Sequence, residues 1–390
     1  MFDNSPIVSV AHARALAKKR VPGRIFSFID GGNEEEQTVF QNRQAFREVM
    51  FRPRAAVANA SRNLETTVLG RRISMPIVIA PTGMIHTAHR GGELAAARAA
   101  GAAGIAIGIS TLSGYPVEQI TAATSGPVWY QLYLAGGRRA AEVAIDRAAR
   151  FGCAALILTV DTPAVVGKER LLREGRMPTK VDARNFMRYA PQALLRPRWA
   201  LDFLRDGLKI KVPNVRLHPD GPSLPVAEAS ATWRRHPLTW ADLEWAKRRF
   251  PGKIIVKGVL SGEDARRAVD LGADAIVVSN HGGNALDGTP ATLRVLPEIV
   301  SAVGTSVEVL MDGGVRRGAD VIKAMALGAK AVLIGRAYAW GLAARGERGV
   351  TEILEMFRAG LDDTLALLGC PGVEALTPDY LRFPDGWHGR

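Results

Sequence analysis

The fold is decided by one stretch, VEVLMDGGVRRGADVIKAMALGAKAVLIGR, residues 307–336. Val307–Met311 is a short apolar run of the kind that forms a buried strand, and Ala331–Ile334 is a second. Between them, Gly318–Ala329 carries apolar residues at three- and four-residue spacing with glycine at its ends, which predicts a helix. A strand, a helix and another buried strand make a parallel crossover unit. The loop after each strand is polar: Asp312-Gly313-Gly314-Val315-Arg316-Arg317-Gly318 after the first and Gly335-Arg336 after the second. Glycine permits close approach, backbone N–H groups donate, and guanidinium groups match phosphate oxygens, so each loop reads as part of a phosphate cradle. A lone DGG would carry little weight; two such loops on neighbouring strands point to a phosphorylated ligand.

Outward from this stretch the same unit repeats. Apolar runs bounded by turn residues occur at Pro76–Ala80, Ile105–Ile109, Val128–Tyr133, Ala155–Val160, Ile254–Lys257 and Ala275–Ser279, most of them separated by about 20–35 residues, the length of one βα unit. With the two above they number eight, enough to close a (β/α)8, or TIM, barrel. Helices are clearest in Gly91–Gly104 and Gly262–Gly272. At 390 residues the chain is read as one domain, with an N-terminal helical segment over 1–65, two or three helices of which cap the barrel. A long insertion after strand four, 165–236, forms a lid on the catalytic face.

Composition narrows the function. Hydrophobic residues at 47% and charged residues at 23% describe an ordinary globular chain. The first twenty residues lack an apolar core followed by a cleavage site, and no run of eighteen apolar residues occurs, so the chain reads as cytoplasmic and not membrane-spanning. Cys153 and Cys370 have neither paired nor metal-type spacing, and no metal is expected. The net charge of +13 is concentrated: Lys168–Arg216 holds thirteen Lys and Arg against five Asp and Glu. The plain reading is a solvated or substrate-facing lid. An RNA partner is disfavoured, because the stretch offers few aromatics beyond Phe186, Tyr189, Trp199 and Phe203 and no RNA-binding motif. Peripheral contact with an anionic membrane, through the partly amphipathic Ala193–Gly207, is the sharper and less favoured reading.

In a barrel the working residues come from the C-terminal ends of the strands. Those ends are unusually polar here: Pro81-Thr82-Gly83, Ser110, Gln131 and Tyr133, Thr159 and Asp161, Lys257, and Ser279-Asn280-His281. Among seven histidines, His281 stands out, since Gly282-Gly283 would leave its ring in the barrel mouth. Asp161 is placed to hold one ring nitrogen and stabilise the imidazolium formed when the other accepts a proton. Lys257 has three readings: a Schiff-base lysine, a cation beside an electron-accepting cofactor, or a buried salt-bridge partner.

LTVDTP (Leu158–Pro163), VKG (Val256–Gly258), SNHGG (Ser279–Gly283), DGGVRRG (Asp312–Gly318) and IGR (Ile334–Arg336), in this order and at these gaps, resemble the FMN-dependent 2-hydroxy-acid oxidase and dehydrogenase family, which includes glycolate oxidase, flavin L-lactate dehydrogenase and mandelate dehydrogenase. The likeness runs over essentially the whole chain, including Pro81–Met84. It implies FMN as cofactor, with Pro81, Thr82, Gly83, Ser110, Gln131, Thr159 and Ser279 around the ring and Lys257 stabilising negative charge on it. Asp312, Gly314, Arg316, Gly335 and Arg336 would hold the ribityl phosphate. His281 becomes the base, Asp161 its partner, and Tyr133 a contact to the substrate's reacting oxygen. A small-molecule substrate, oxygen or a carrier as electron acceptor, and a homo-oligomeric state, tetramer or octamer, are expected with it.

Three substrate positions depart from that family. Its carboxylate clamp uses a tyrosine and two arginines; here Phe28, Lys168 and Asn284 stand in their places. Losing two or three charge-assisted hydrogen bonds, each worth about 1.5–3 kcal/mol, would ruin binding of a small 2-hydroxy acid. Asn284, Leu286–Pro290, Gly335–Ala344 and Arg196–Trp199 resemble the flavoprotein subgroup of mycofactocin biosynthesis, which oxidatively deaminates a peptide-derived aminopyrrolidinone. The expected function is therefore oxidation of a C–H bearing an amine or hydroxyl, with deamination of that kind favoured. An L-2-hydroxy-acid dehydrogenase or oxidase is the alternative within the fold, and a Schiff-base aldolase using Lys257 the alternative outside it.

Overall fold

The computed structural model describes residues 5–164, 167–174, 191–205, 210, 212–235 and 237–387. Phe186 and Tyr189 lie outside the described residues. Eight parallel strands close a barrel: β1 (Ile77–Ile79), β2 (Ala106–Ser110), β3 (Val128–Leu132), β4 (Ala155–Thr159), β5 (Lys253–Val259), β6 (Ala275–Val278), β7 (Glu308–Met311) and β8 (Ala331–Ile334). Each pairs with its neighbour in sequence, and β8 returns to β1 through Val332–Ile77, Leu333–Val78 and Ile334–Ile79. All eight are the runs expected from the sequence. β5 is longer than the expected Ile254–Lys257, because its register with β6 shifts between Lys257 and Val259. Gly258 absorbs that shift at φ 110°; a Cβ there would lie 2.6 Å from Cβ of Asp161. Glycine is thus what lets Asp161 sit beside Lys257.

Strand geometry explains why the mouth is polar. Ala106, Trp129, Ala155, Ile157, Ile255, Ala275, Val277 and Leu310 form one buried cluster inside the barrel. Side chains alternate across a strand, so Ser110, Gln131, Thr159, Lys257, Ser279 and Asp312, each an even number of positions further along, belong to the same inner face. They form its top layer, where polar groups replace the aliphatic residues below. Val68 and Ile73, from the hairpin of Thr66–Val68 and Arg71–Ile73, join the cluster from the opposite end.

The outer helices pack through small residues and end on glycine. In Gly92–Ala103 the buried face is five alanines, and Gly104 closes it at φ 69°. Ser261 caps Gly262–Asp270, its hydroxyl accepting from Asp264 N at 3.1 Å. The N-terminal segment supplies three helices, α1 (Val10–Arg20), α2 (Gly23–Asp30) and α3 (Gln37–Glu48). Met50–Phe51 then pairs with Leu381–Arg382, tying the two ends of the described chain together.

The insertion after β4 crosses the mouth in pieces. Glu169–Glu174 leans on α2, Pro197–Arg205 buries Trp199, whose indole N–H donates to Thr87 O at 2.8 Å, and Val226–Arg235 packs on Gly137–Arg150. Leu201 and Leu204 face outward from the second piece. In the expected amphipathic stretch Ala193 and Leu194 end one helical turn, Pro197–Arg205 forms a second helix, and Gly207 lies outside the described residues. Among those residues no helix is long and apolar enough to cross a membrane.

Candidate active site

β6 ends in Ser279-Asn280-His281, and its turn is fixed from both sides. Asn280 exchanges two amide hydrogen bonds with Asn42 of α3, at 2.8 and 2.9 Å, with both side chains buried. Ser279 Oγ accepts from Lys257 Nζ at 2.8 Å and from His281 N at 3.0 Å. His281 itself has φ 58°, a conformation that costs a non-glycine residue energy and is found where surroundings impose it. Ser279, expected among the cofactor ligands, thus joins the base to the lysine through its oxygen lone pairs and keeps its O–H proton to donate.

Asp161 Oδ1 lies 2.8 Å from His281 Nδ1. A carboxylate only accepts, so Nδ1 carries the proton and Nε2 is left as the free acceptor. Tyr133 OH sits 3.4 Å from Nε2 and donates to it. Burial holds the Tyr133 phenol well above its ordinary pKa, so it stays a donor. The Asp161 side chain is only 6% exposed. Burial opposes its charge, but His281 and Lys257 outweigh that cost and keep the carboxyl below its usual range.

Lys257 Nζ stands 3.2 Å from Asp312 and 3.7 Å from Asp161. Loss of water disfavours the ammonium, yet Asp312 and Asp161 prevail and raise its pKa above the ordinary lysine value. A Schiff-base lysine must be neutral to attack a carbonyl, so the aldolase reading fails here. With His281 neutral, the cluster holds one positive and two negative charges; a proton on His281 balances it.

Across the adjacent strands a polar ladder runs from Ser110 Oγ to Gln131 Oε1 at 3.2 Å and from Gln131 Nε2 to Thr159 Oγ1 at 3.1 Å. Thr82 Oγ1 lies against Ala80 O at 3.3 Å, and Pro81 and Gly83 share its partly buried loop. The ladder, Lys257 and the loop together offer one edge of donors and acceptors to a flat heterocycle.

The phosphate side is closely packed. A Cβ on Gly314 would meet Asn42 O at 2.2 Å, and one on Gly313 would meet Thr292 Oγ1 at 2.7 Å. These glycines make room for α3 and the helix Thr292–Val303 as well as for any ligand. Asp312 lies 3.2 Å from Lys257 Nζ, where its negative charge suits the cation better than a phosphate. Its Oδ1 is buried without a hydrogen bond, which suits a hydroxyl. The cationic part of the cradle is present. Arg336 donates to Gly282 O at 2.6 Å and to Gly31 O at 2.9 Å, and Arg316 donates to Val315 O at 2.8 Å. Both pKa values are lowered, chiefly by lost hydration, and Arg336 further disfavours the Arg316 charge, which falls to about 9. Two guanidinium groups that repel each other and rest on neutral carbonyls, beside Gly335, where a side chain would meet nothing nearer than Ala80 Cβ at 3.9 Å, fit a phosphate.

The three departures from the carboxylate clamp differ in geometry. Lys168 Nζ donates to Phe28 O at 2.9 Å and Gly31 O at 3.0 Å, so it fastens the insertion to α2. Lost hydration, and then Arg336, press its pKa down to about 7. Asn284 Nδ2 donates to His281 O at 3.1 Å, and the Phe28 ring lies beneath the Lys168 ammonium at 5.5 Å. Asn42 and Trp233 also border the site. Neither was foreseen, for a single Asn within a helix and a Trp in a long insertion carry no spacing signal.

A barrel whose mouth joins an arginine cradle, a polar ladder, a charged lysine and a His–Asp pair defines a flavin-dependent oxidoreductase. Comparison with known proteins agrees: the FMN-dependent dehydrogenase family matches residues 17–383. The chain belongs to that family, and FMN is its cofactor. It is 41% identical to pre-mycofactocin synthase of Mycolicibacterium smegmatis over 97% of this chain and 94% of that one. To (S)-mandelate dehydrogenase of Pseudomonas putida it is 39% identical over 96% and 94%. A crystal structure of monotopic membrane protein (S)-mandelate dehydrogenase matches with a TM-score of 0.89 at 38% identity, covering 97% of this chain and all of that one.

Proposed function

We propose that this oxidoreductase removes an amine from a neutral cyclic substrate, by oxidative deamination of a peptide-derived aminopyrrolidinone as a pre-mycofactocin synthase. The observation that carries the reading is the state of the substrate clamp. Lys168 is turned onto backbone carbonyls, Asn284 onto His281 O, and Phe28 has no hydroxyl to donate. A carboxylate entering this mouth would give up water with little in return, at a cost of several kcal/mol. An uncharged lactam ring loses nothing by those changes, and Phe28 offers its face to an apolar substituent.

FMN, when bound, supplies the two-electron acceptor. Arg316, Arg336 and Gly335 would hold its phosphate, Ser110, Gln131, Thr159 and the Pro81–Gly83 loop its ring, and Asp312 a side-chain hydroxyl. Tyr133 positions the substrate heteroatom, and His281 Nε2 accepts a proton from the substrate while Asp161 steadies the resulting imidazolium. From CH–NH2 to C=NH the substrate loses two electrons and two protons; His281 would take one proton, and FMN would supply the acceptor for both electrons and the other proton. Water then turns the imine into a ketone and ammonia. Lys257 keeps positive charge where negative charge gathers.

The test is anaerobic stopped-flow reduction of the bound flavin by lactate, glycolate and mandelate, beside the aminopyrrolidinone. Bleaching by the amine alone supports the reading. Fast, saturable bleaching by any of the three acids at low concentration would overturn it in favour of a hydroxy-acid dehydrogenase.

A further inference from the structure

We propose that Trp233, carried by the insertion, is a positioning residue for Tyr133. The two rings stack with centroids 4.3 Å apart and planes 29° apart. Tyr133 reaches His281 Nε2 only at 3.4 Å, beyond the usual O–H···N range, so a small swing of the phenol breaks the contact. Backbone bonding fixes where Tyr133 begins, since its N–H donates to Thr111 Oγ1 at 3.0 Å. The far end is steadied by the Thr162 side chain at the hydroxyl and, along the ring face, by packing on Trp233.

The insertion brings Trp233 there on a rigid arm. Asn214, fully buried, accepts from Val117 N at 2.9 Å and donates to Tyr115 O at 3.0 Å. Val212, Val215 and Ala229 share a buried cluster with Tyr133, Ala135 and Ala140. Gly136 has no Cβ because Val215 and Leu224 would collide with it at 2.8 and 2.9 Å. The returning half of the insertion is thus docked on the loop after β3, and its helix sets Tyr133 against the base.

The experiment is a double-mutant cycle on the FMN-loaded enzyme, using Trp233→Ala, Trp233→Leu and Trp233→Phe with and without Tyr133→Phe. The flavin-reduction rate at saturating donor is read with the aminopyrrolidinone and with (S)-mandelate, and whichever bleaches the flavin serves, so the outcome does not hang on the substrate assigned above. An aromatic pair of this kind is worth roughly 2- to 12-fold in rate. Trp233→Ala and Trp233→Leu should each lose about that much at saturation, with FMN affinity and substrate dissociation constant little changed, and Trp233→Phe should recover most of it. In the Tyr133→Phe background the same changes should have almost no effect, because the hydroxyl to be positioned is gone. Equal losses in both backgrounds, or full activity in Trp233→Leu, would overturn the proposal. If Trp233→Ala fails to fold, the Leu and Phe variants decide between the same two outcomes.

Discussion

Replacing Asp161 by Asn removes the carboxylate that faces both His281 and Lys257. With its oxygen toward His281 Nδ1 the amide keeps the ring's tautomer but turns its NH2 to the Lys257 ammonium, and the reverse rotamer imposes the other tautomer, so the lost charge alone sets a lower limit on the effect. What disappears is the carboxylate 2.8 Å from the ring nitrogen, in a side chain 6% exposed. A hydrogen bond to a charged group contributes about 1.5–3 kcal/mol, and that benefit matters only once His281 carries the substrate's proton. At about 1.4 kcal/mol per factor of ten, Asp161→Asn should slow flavin reduction roughly 10- to 150-fold. Anaerobic stopped-flow at saturating donor reads the step directly, and the flavin content of the purified variant checks that the cradle is intact. A variant with full flavin content that reduces within threefold of the parent would show that His281 is not the proton acceptor or that Asp161 does not support it.

Arg336→Ala should weaken FMN at least about tenfold, the loss expected for one charge-assisted contact, read from flavin fluorescence on dilution; an unchanged dissociation constant would remove Arg336 from the cradle. Lys257→Met leaves Asp161 and Asp312 facing the flavin without a cation, so its reduction potential should fall in a dye-equilibration titration, and a rise would contradict the placement of Lys257. Lys168 titrates near 7 in the folded chain and near 10.5 when unfolded. Between those values the unfolded chain binds more protons, so stability from this group grows as pH rises through the window and is lost as pH falls toward 7. The stability difference between the parent and Lys168→Met should shift toward the parent from pH 7 to 9 in urea unfolding, and a pH-independent difference would refute it.

The barrel was legible because each strand is a short apolar run with a polar end, and the period-two alternation that buries Ile157 also aims Thr159 at the mouth. His281, Asp161 and Lys257 were found the same way, by reading strand ends. Pairwise assignment was harder to read. Asp312 adjoins the phosphate loop in sequence, but in space it faces Lys257, because its strand lies two places from β5. Ser279 precedes the base and serves it, and Lys168 keeps a charge that the fold spends on Phe28 and Gly31. Trp233 was invisible, since its role arises only when a distant segment returns over β3.

The amide exchange between Asn42 and Asn280 has a practical consequence. Arg336 likewise rests on Gly31, and Gly314 is shaped to admit the backbone of Asn42. Gly31 and Asn42, from the N-terminal helical segment, are therefore components of the catalytic centre. Trimming the gene to its eight strands would keep the scaffold's outline and discard the brace that orients the base, so deletions or fusions meant to simplify the protein belong at the other end of the barrel.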